Sequence, residues 1–182
     1  MKLPLRFSLA VLGSLAVACS PESDPSAPSP SFAKEGRERV VHMSDACDPA
    51  SFDAVLGAGA CTRSGGVTFD KFIELLGKNQ SVGGWHFTPG QLNVQVGDEL
   101  VAVNDGGETH TFTEVEEFGG GIVPDLNTLS GNPIPAPECN PATITMIPPG
   151  GRFSEDVDED EDELYQCCIH PWMRTTIHAH EK

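Results

Sequence analysis

The sequence predicts an all-β sandwich of about eight strands with a short helical addition on its N-terminal side. Three observations carry that expectation. The 182 residues include 19 Gly and 15 Pro, a density of turn formers that favours short strands over long helices. From Trp85 onward the hydrophobic period is two, with Leu92, Val94 and Val96 alternating with Asn93 and Gln95, as in strands buried on one face. Before Trp85 the clearest period is helical, with Phe69, Phe72, Ile73 and Leu76 at i, i+3, i+4 and i+7. A chain of this length suggests one domain with appendages, large enough to bury a core without metal or disulfides.

In chain order, residues 1–18 read as a signal peptide. Lys2 and Arg6 open it, an apolar run from Phe7 to Val17 follows, and Ala16-Val17-Ala18 offers a small-residue cleavage site. The run is too short for a transmembrane span. Cys19 directly after the site resembles the acylated cysteine of a bacterial lipoprotein, with Leu15 one place further back than that pattern. Residues 19–39 then form a lipidated cysteine and a Pro/Ser-rich tether with nothing to bury. Loss of Lys2 and Arg6 takes the net charge from −16 to −18.

The segment 40–84 is expected to be the helical addition. Val40 to Met43 reads as a short strand. Asp48 is placed to cap a helix with Pro49 at its first position; Phe52, Val55 and Leu56 would form its apolar side and Gly57 its end. Cys47 and Cys61 bracket this unit, and a bridge between them would contribute roughly 3 kcal/mol in the chain-entropy model. Thr68 caps the second helix, with Gly77 just past its end.

The segment 85–182 carries the sandwich. Strands are expected at Leu92 to Val96, Leu100 to Val103, Thr109 to Val115, Ala142 to Ile147, Leu164 to Cys168 and Thr175 to Ala179. Residues 118–138 are Gly- and Pro-rich and read as mostly loop. Residues 155–163 hold eight acidic side chains in nine, broken only by Val157, and read as a solvated acidic loop. That run has no EF-hand spacing for calcium. The alternative is a docking face for a basic partner.

The stretch around Cys167 carries the chemistry. Cys167-x-x-His170-x-x-Met173 puts a thiol, an imidazole and a thioether on one loop. Copper suits that combination, whereas zinc has little use for Met. A further ligand must come from elsewhere, and His110, 57 positions earlier (167 − 110), can reach the loop only by long-range strand pairing. His110, Cys167, His170 and Met173 make a His₂Cys set with a weak axial Met. A zinc site at Cys167, Cys168 and His170, and a disulfide-rich sandwich with incidental His and Met, are the other readings. His178 and His180 read as a solvent-exposed tail; His42 and His86 receive no role.

With these residues the sequence resembles the cupredoxins, the plastocyanin, pseudoazurin and amicyanin family. The loop from Cys167 to Arg174 is similar to the short amicyanin-type loop. Trp85 to Pro89, Leu92 to Leu100, Asn104 and His110 extend the match over residues 85–182. The resemblance implies a Greek-key sandwich, one type 1 copper, and single-electron transfer without enzymatic turnover. A copper storage or delivery module is the alternative. It implies that Thr111, through its backbone N–H, bonds toward the Cys loop. It implies an exposed edge on His170, with Pro171 and Trp172 forming an apolar docking patch. It selects Cys167 over Cys168 as ligand, since only Cys167 has the two-residue gap to His170. Adjacent strand residues point to opposite faces, so Cys168 is left for a disulfide, with Cys139 as first choice; Cys47, Cys61, Cys139 and Cys168 allow three pairings.

Bulk charge points away from nucleic acid and anionic membranes and toward a redox partner with a basic docking face. The expected molecule is a monomer, exported to the periplasm or cell envelope and touching a membrane only through its lipid. No Cys-x-x-Cys-His for c-type haem occurs.

Overall fold

The computed structural model describes residues 36–181. The signal peptide, Cys19 and most of the tether lie outside the described residues. The elements in order are β1 (Glu38–Ser44), α1 (Pro49–Leu56), α2 (Phe69–Asn79), β2 (His86–Thr88), β3 (Gln91–Gln95), β4 (Glu99–Asn104), β5 (His110–Thr111), β6 (Thr113–Val115), α3 (Pro124–Leu129), β7 (Met146–Ile147), β8 (Arg152–Asp156), β9 (Asp162–Gln166) and β10 (Arg174–His180).

Eight strands make two four-stranded sheets, β2-β1-β4-β8 and β3-β10-β9-β6, and β5 pairs with β7 in a separate ladder. Both sheets are mixed: β1 runs parallel to β4 and β3 parallel to β10, while the other pairs are antiparallel. Neighbours distant in sequence make this a Greek-key sandwich rather than a meander. The core lies between the sheets, with Val41, Met43, Leu100, Ala102 and Phe87 from the first meeting Val94, Tyr165, Ile177 and Ala179 from the second. Phe112 stacks on Tyr165 at 4.3 Å.

Both predicted helix starts form as their caps require. Asp48 Oδ2 accepts from Ser51 N–H at 2.9 Å, with Pro49 in the first turn. Thr68 Oγ1 accepts from Lys71 N–H at 3.4 Å. α1 ends at Gly57 as expected, but the end of α2 differs. α2 runs through Gly77 to Asn79 and closes on Gln80 in the left-handed region, whose N–H donates to Leu76 O at 2.8 Å. A helical Gly costs only about 1 kcal/mol relative to Ala, and Lys78 there complements the negative helix end. In α1 only Phe52 is buried; Val55 and Leu56 are 58% and 56% exposed. The helix extends past the platform of Phe69, Phe72 and Trp85 on which Phe52 sits, 5.3, 5.7 and 5.9 Å between ring centroids.

Residues 118–138, expected to be mostly loop, also hold α3, a helix too short to leave a readable period. Two further expectations are corrected. The strand expected over 142–147 is reduced to Met146 and Ile147, because Asn140 turns the chain: its carbonyl accepts from Thr143 N–H and Ile144 N–H, and its side chain from Ala142 N–H. The acidic run is not all loop. β8 takes in Glu155 and Asp156, and β9 begins at Asp162. Strand alternation lets Glu155 and Glu163 flank the Tyr165 hydroxyl, which donates to Glu163 Oε2 at 2.8 Å, and Val157, 2% exposed, pins the intervening loop to the core.

Two disulfides are formed, Cys47–Cys61 and Cys139–Cys168. Cys167 is the free cysteine among the described residues.

Candidate metal centre

Three elements bring the site together. His110 opens β5, where its backbone pairs with Ile147 of β7. Cys167 follows β9, and His170 lies on the loop into β10. That loop is closed by its own backbone: Cys167 N–H donates to Met173 O at 3.0 Å, and Met173 N–H to His170 O at 2.9 Å. The Asn104 side chain braces the other wall, donating to Glu108 O and Ile147 O at 2.8 Å each and accepting from Gly106 N–H at 2.9 Å.

The donor atoms of His110, Cys167 and His170 lie within 4.8 Å of one another, and all three residues are buried. Both imidazoles present Nδ1 to the sulfur, at 3.8 Å for His110 and 3.9 Å for His170. Met173 is fully buried in the same core. Thr111 N–H donates to Cys167 Sγ at 3.4 Å. The Thr111 hydroxyl, to which sequence reasoning gave no role, accepts from Cys168 N–H at 2.7 Å. Cys168 points the other way, into a small cluster with Val115, Ala136 and Cys139.

Burial alone would raise the Cys167 thiol, but the hydrogen bonds and charges of His110 and His170 hold it well below its usual pKa. Burial likewise works against charge on His110, yet Asp45 and Cys167 on its two sides raise its pKa to about 9. Asp45, opposed by burial, is brought down to about 2 by the His110 ring and the backbone N–H groups of Glu108 and Gly107. Burial, the dominant cause, raises Glu108.

Sequence reasoning missed Asp45 and Glu108. Asp45 Oδ2 lies 3.0 Å from His110 Nε2, both side chains essentially inaccessible. Glu108 Oε2 accepts from Trp85 Nε1–H at 2.5 Å and lies 3.8 Å from His170 Nε2. A position 65 residues from its partner leaves no local signal. Asp45, Cys47 and Glu108 also cluster, but the Cys47 sulfur is spent in a disulfide.

The expected exposed patch is corrected. His170 is only 2% exposed, Pro171 is buried and Trp172 is half-buried. The helical addition is the cause. Phe72 of α2 meets the His170 ring edge-on at 6.3 Å, and Trp172 meets it at 5.5 Å. Beside them a cavity of about 250 Å³ is walled by Leu56, Phe69, Ile73 and Leu126 and reaches His170 and Glu108.

The chain is a Greek-key β-sandwich with a Cys-x-x-His-x-x-Met loop between its last two strands. Solved structures similar to it include a purple cupredoxin from Nitrosopumilus maritimus, at 18% identity over 54% of this chain and 85% of that one, with a TM-score of 0.39. A Cu(I) form of an amicyanin variant aligns at 18% identity over 52% and 73%, TM-score 0.37. A copper-containing nitrite reductase from Thermus scotoductus SA-01 aligns at 20% identity over 53% of this chain and 20% of that one, TM-score 0.37. No protein-family model and no curated protein sequence matches the chain.

Proposed function

We propose that the protein is a mononuclear type 1 copper carrier that passes single electrons between redox partners. The observation that carries this reading is the buried Cys167 sulfur, faced by Nδ1 of His110 and of His170 at 3.8 and 3.9 Å. One thiolate and two imidazoles, with the thioether of Met173 on the same loop, are the donor chemistry of a blue copper site. Bound there, copper would supply a one-electron couple.

The chain's own residues do the rest. Thr111 N–H stabilises charge on the sulfur. The double backbone closure of the loop holds Cys167 and His170 in one geometry, so little reorganises when the charge changes. The core around Met173 excludes water. Trp172, half-buried and in edge contact with His170, links the site to the surface. The closed site supports a carrier over a delivery module, which must release its ion to a partner.

The copper-loaded protein should be blue, with an intense absorption near 600 nm (about the value for a His₂Cys thiolate site), and should show a reversible one-electron wave in voltammetry. A colourless copper complex without such a wave overturns this reading.

Two disulfides support an oxidising compartment, and the reading places the protein in the periplasm or cell envelope, tethered through Cys19. A Cys19→Ala variant then leaves the membrane fraction with its spectrum unchanged; wild-type protein found wholly soluble, without acyl mass, refutes the anchor. The partner is a redox protein with a basic docking face, met by this protein as a monomer.

A further inference from the structure

We infer that Asp45 is the positioning residue of the centre: its carboxylate holds His110 with Nδ1 toward Cys167 and keeps a fixed negative charge behind that imidazole, biasing the site toward the oxidised metal. The inference deepens the copper reading and rests on it.

The carboxylate is held on both oxygens. Oδ2 faces His110 Nε2 at 3.0 Å and accepts from Glu108 N–H at 2.9 Å. Oδ1 accepts from Cys47 N–H at 3.3 Å. The packing makes room for it: a Cβ on Gly106 would lie 2.1 Å from Asp45 Oδ2, so a side chain at 106 would displace the carboxylate. Asp45 immediately follows β1, and the Cys47–Cys61 disulfide anchors the chain beyond it. The helical addition is thereby tied to the metal centre through one acid.

His170 lacks an equivalent. Its nearest carboxylate oxygen, on Glu108, is 3.8 Å away, beyond hydrogen-bond distance, and is engaged by Trp85. The two imidazoles are therefore unequal. A carboxylate accepting the outer N–H of a ligating histidine fixes its tautomer and raises the basicity of the other nitrogen. Both that effect and a permanent negative charge in a low-dielectric interior favour the more positive metal state.

Two measurements test this. In the zinc-loaded wild-type protein, NMR should show the His110 Nε2–H shifted downfield of the His170 Nε2–H, as a carboxylate partner requires. An Nε2–H on His110 no different from that of His170 overturns the inference, and this arm needs neither copper chemistry nor a variant. In the copper-loaded protein at pH 7, Asp45→Asn removes the charge with little change of shape. The Cu(II)/Cu(I) equilibrium should move at least tenfold toward Cu(I), a potential rise of about 59 mV or more for one electron. A blue Asp45→Asn protein whose equilibrium moves less than tenfold overturns the inference and leaves the copper reading standing. Zinc-loaded protein with the downfield His110 Nε2–H but no blue copper form overturns the copper reading and leaves Asp45 as the positioning residue. If Asp45→Asn does not fold, the wild-type hydrogen-bond shift decides.

Discussion

The Phe72 ring meets the ring of His170 edge-on, 6.3 Å between centroids at an interplanar angle of 86°. Phe72 also packs on Trp85 at 4.7 Å and Trp172 at 5.9 Å. One helical side chain therefore closes the end of the sandwich over the candidate metal ligand.

Phe72→Ala should uncover His170. Truncating a buried Phe costs about 3–5 kcal/mol, so the melting temperature falls. At the same time, electron exchange of the copper form with a small cationic oxidant should quicken. Stopped-flow kinetics beside a thermal melt check both; an unchanged rate in a folded variant would show that Phe72 does not screen the site.

The adjacent cysteines should separate on mutation. Cys167→Ser replaces the thiolate by a hard, poorly ionised hydroxyl, and the blue colour is lost while the sandwich still folds. Cys168→Ser breaks the bridge to Cys139 at a cost of about 2–5 kcal/mol. Colour then persists with a lower melting temperature and one new free thiol, measurable by thiol titration at Cys139.

The melting temperature of a metal-free Cys167→Ala protein, which lacks the thiol whose depressed pKa has the opposite sign, should rise as pH falls from 7 toward about 5. Burial, followed by repulsion from acidic neighbours, raises Glu114, and burial is also the largest cause raising Glu155 and Glu163. An acid whose folded pKa exceeds its unfolded value destabilises the fold when ionised, and the penalty disappears as pH drops through the folded and then the unfolded pKa. Asp98 has the opposite sign. Burial opposes its charge, but the N–H groups of Gln95 and Arg37 and the charges of Arg37 and Arg39 lower its pKa. Its contribution is present above the unfolded value and lost as pH falls below it, so stability should drop again below about 4. A melting temperature that climbs steadily from pH 4 to 7 would contradict this balance.

Association with a basic partner should slow as salt rises, because exposed charges are screened beyond about 8 Å at physiological ionic strength. Asp158, Glu159, Asp160 and Glu161 are exposed, whereas Glu163 is bonded to Tyr165. Neutralising those four should flatten the salt dependence of the association rate without destabilising β9. A dependence that survives would place the steering charge elsewhere.

Much of the site was readable in the sequence because its chemistry is local. Cys167, His170 and Met173 fall within a single loop, and soft ligands at that spacing admit few readings. His110 was legible as the further ligand the loop needs, although nothing local to it fixed the pairing. Helix starts at Asp48 and Thr68 were legible for the same reason of locality, since a cap acts on N–H groups within three residues. The turn at Asn140 and the cap at Gln80 are local but carry no strong sequence signal, whereas the strand ends of the acidic run depend on what packs against them. Asp45 reaches His110 from 65 positions away, and Phe72 covers His170 from a helix whose period announces only that one face is buried. Periodicity tells which residues leave water; the partner they find there is set by how sheets and helices close on one another, and that closure made the imidazole of His170 internal and gave His110 its carboxylate.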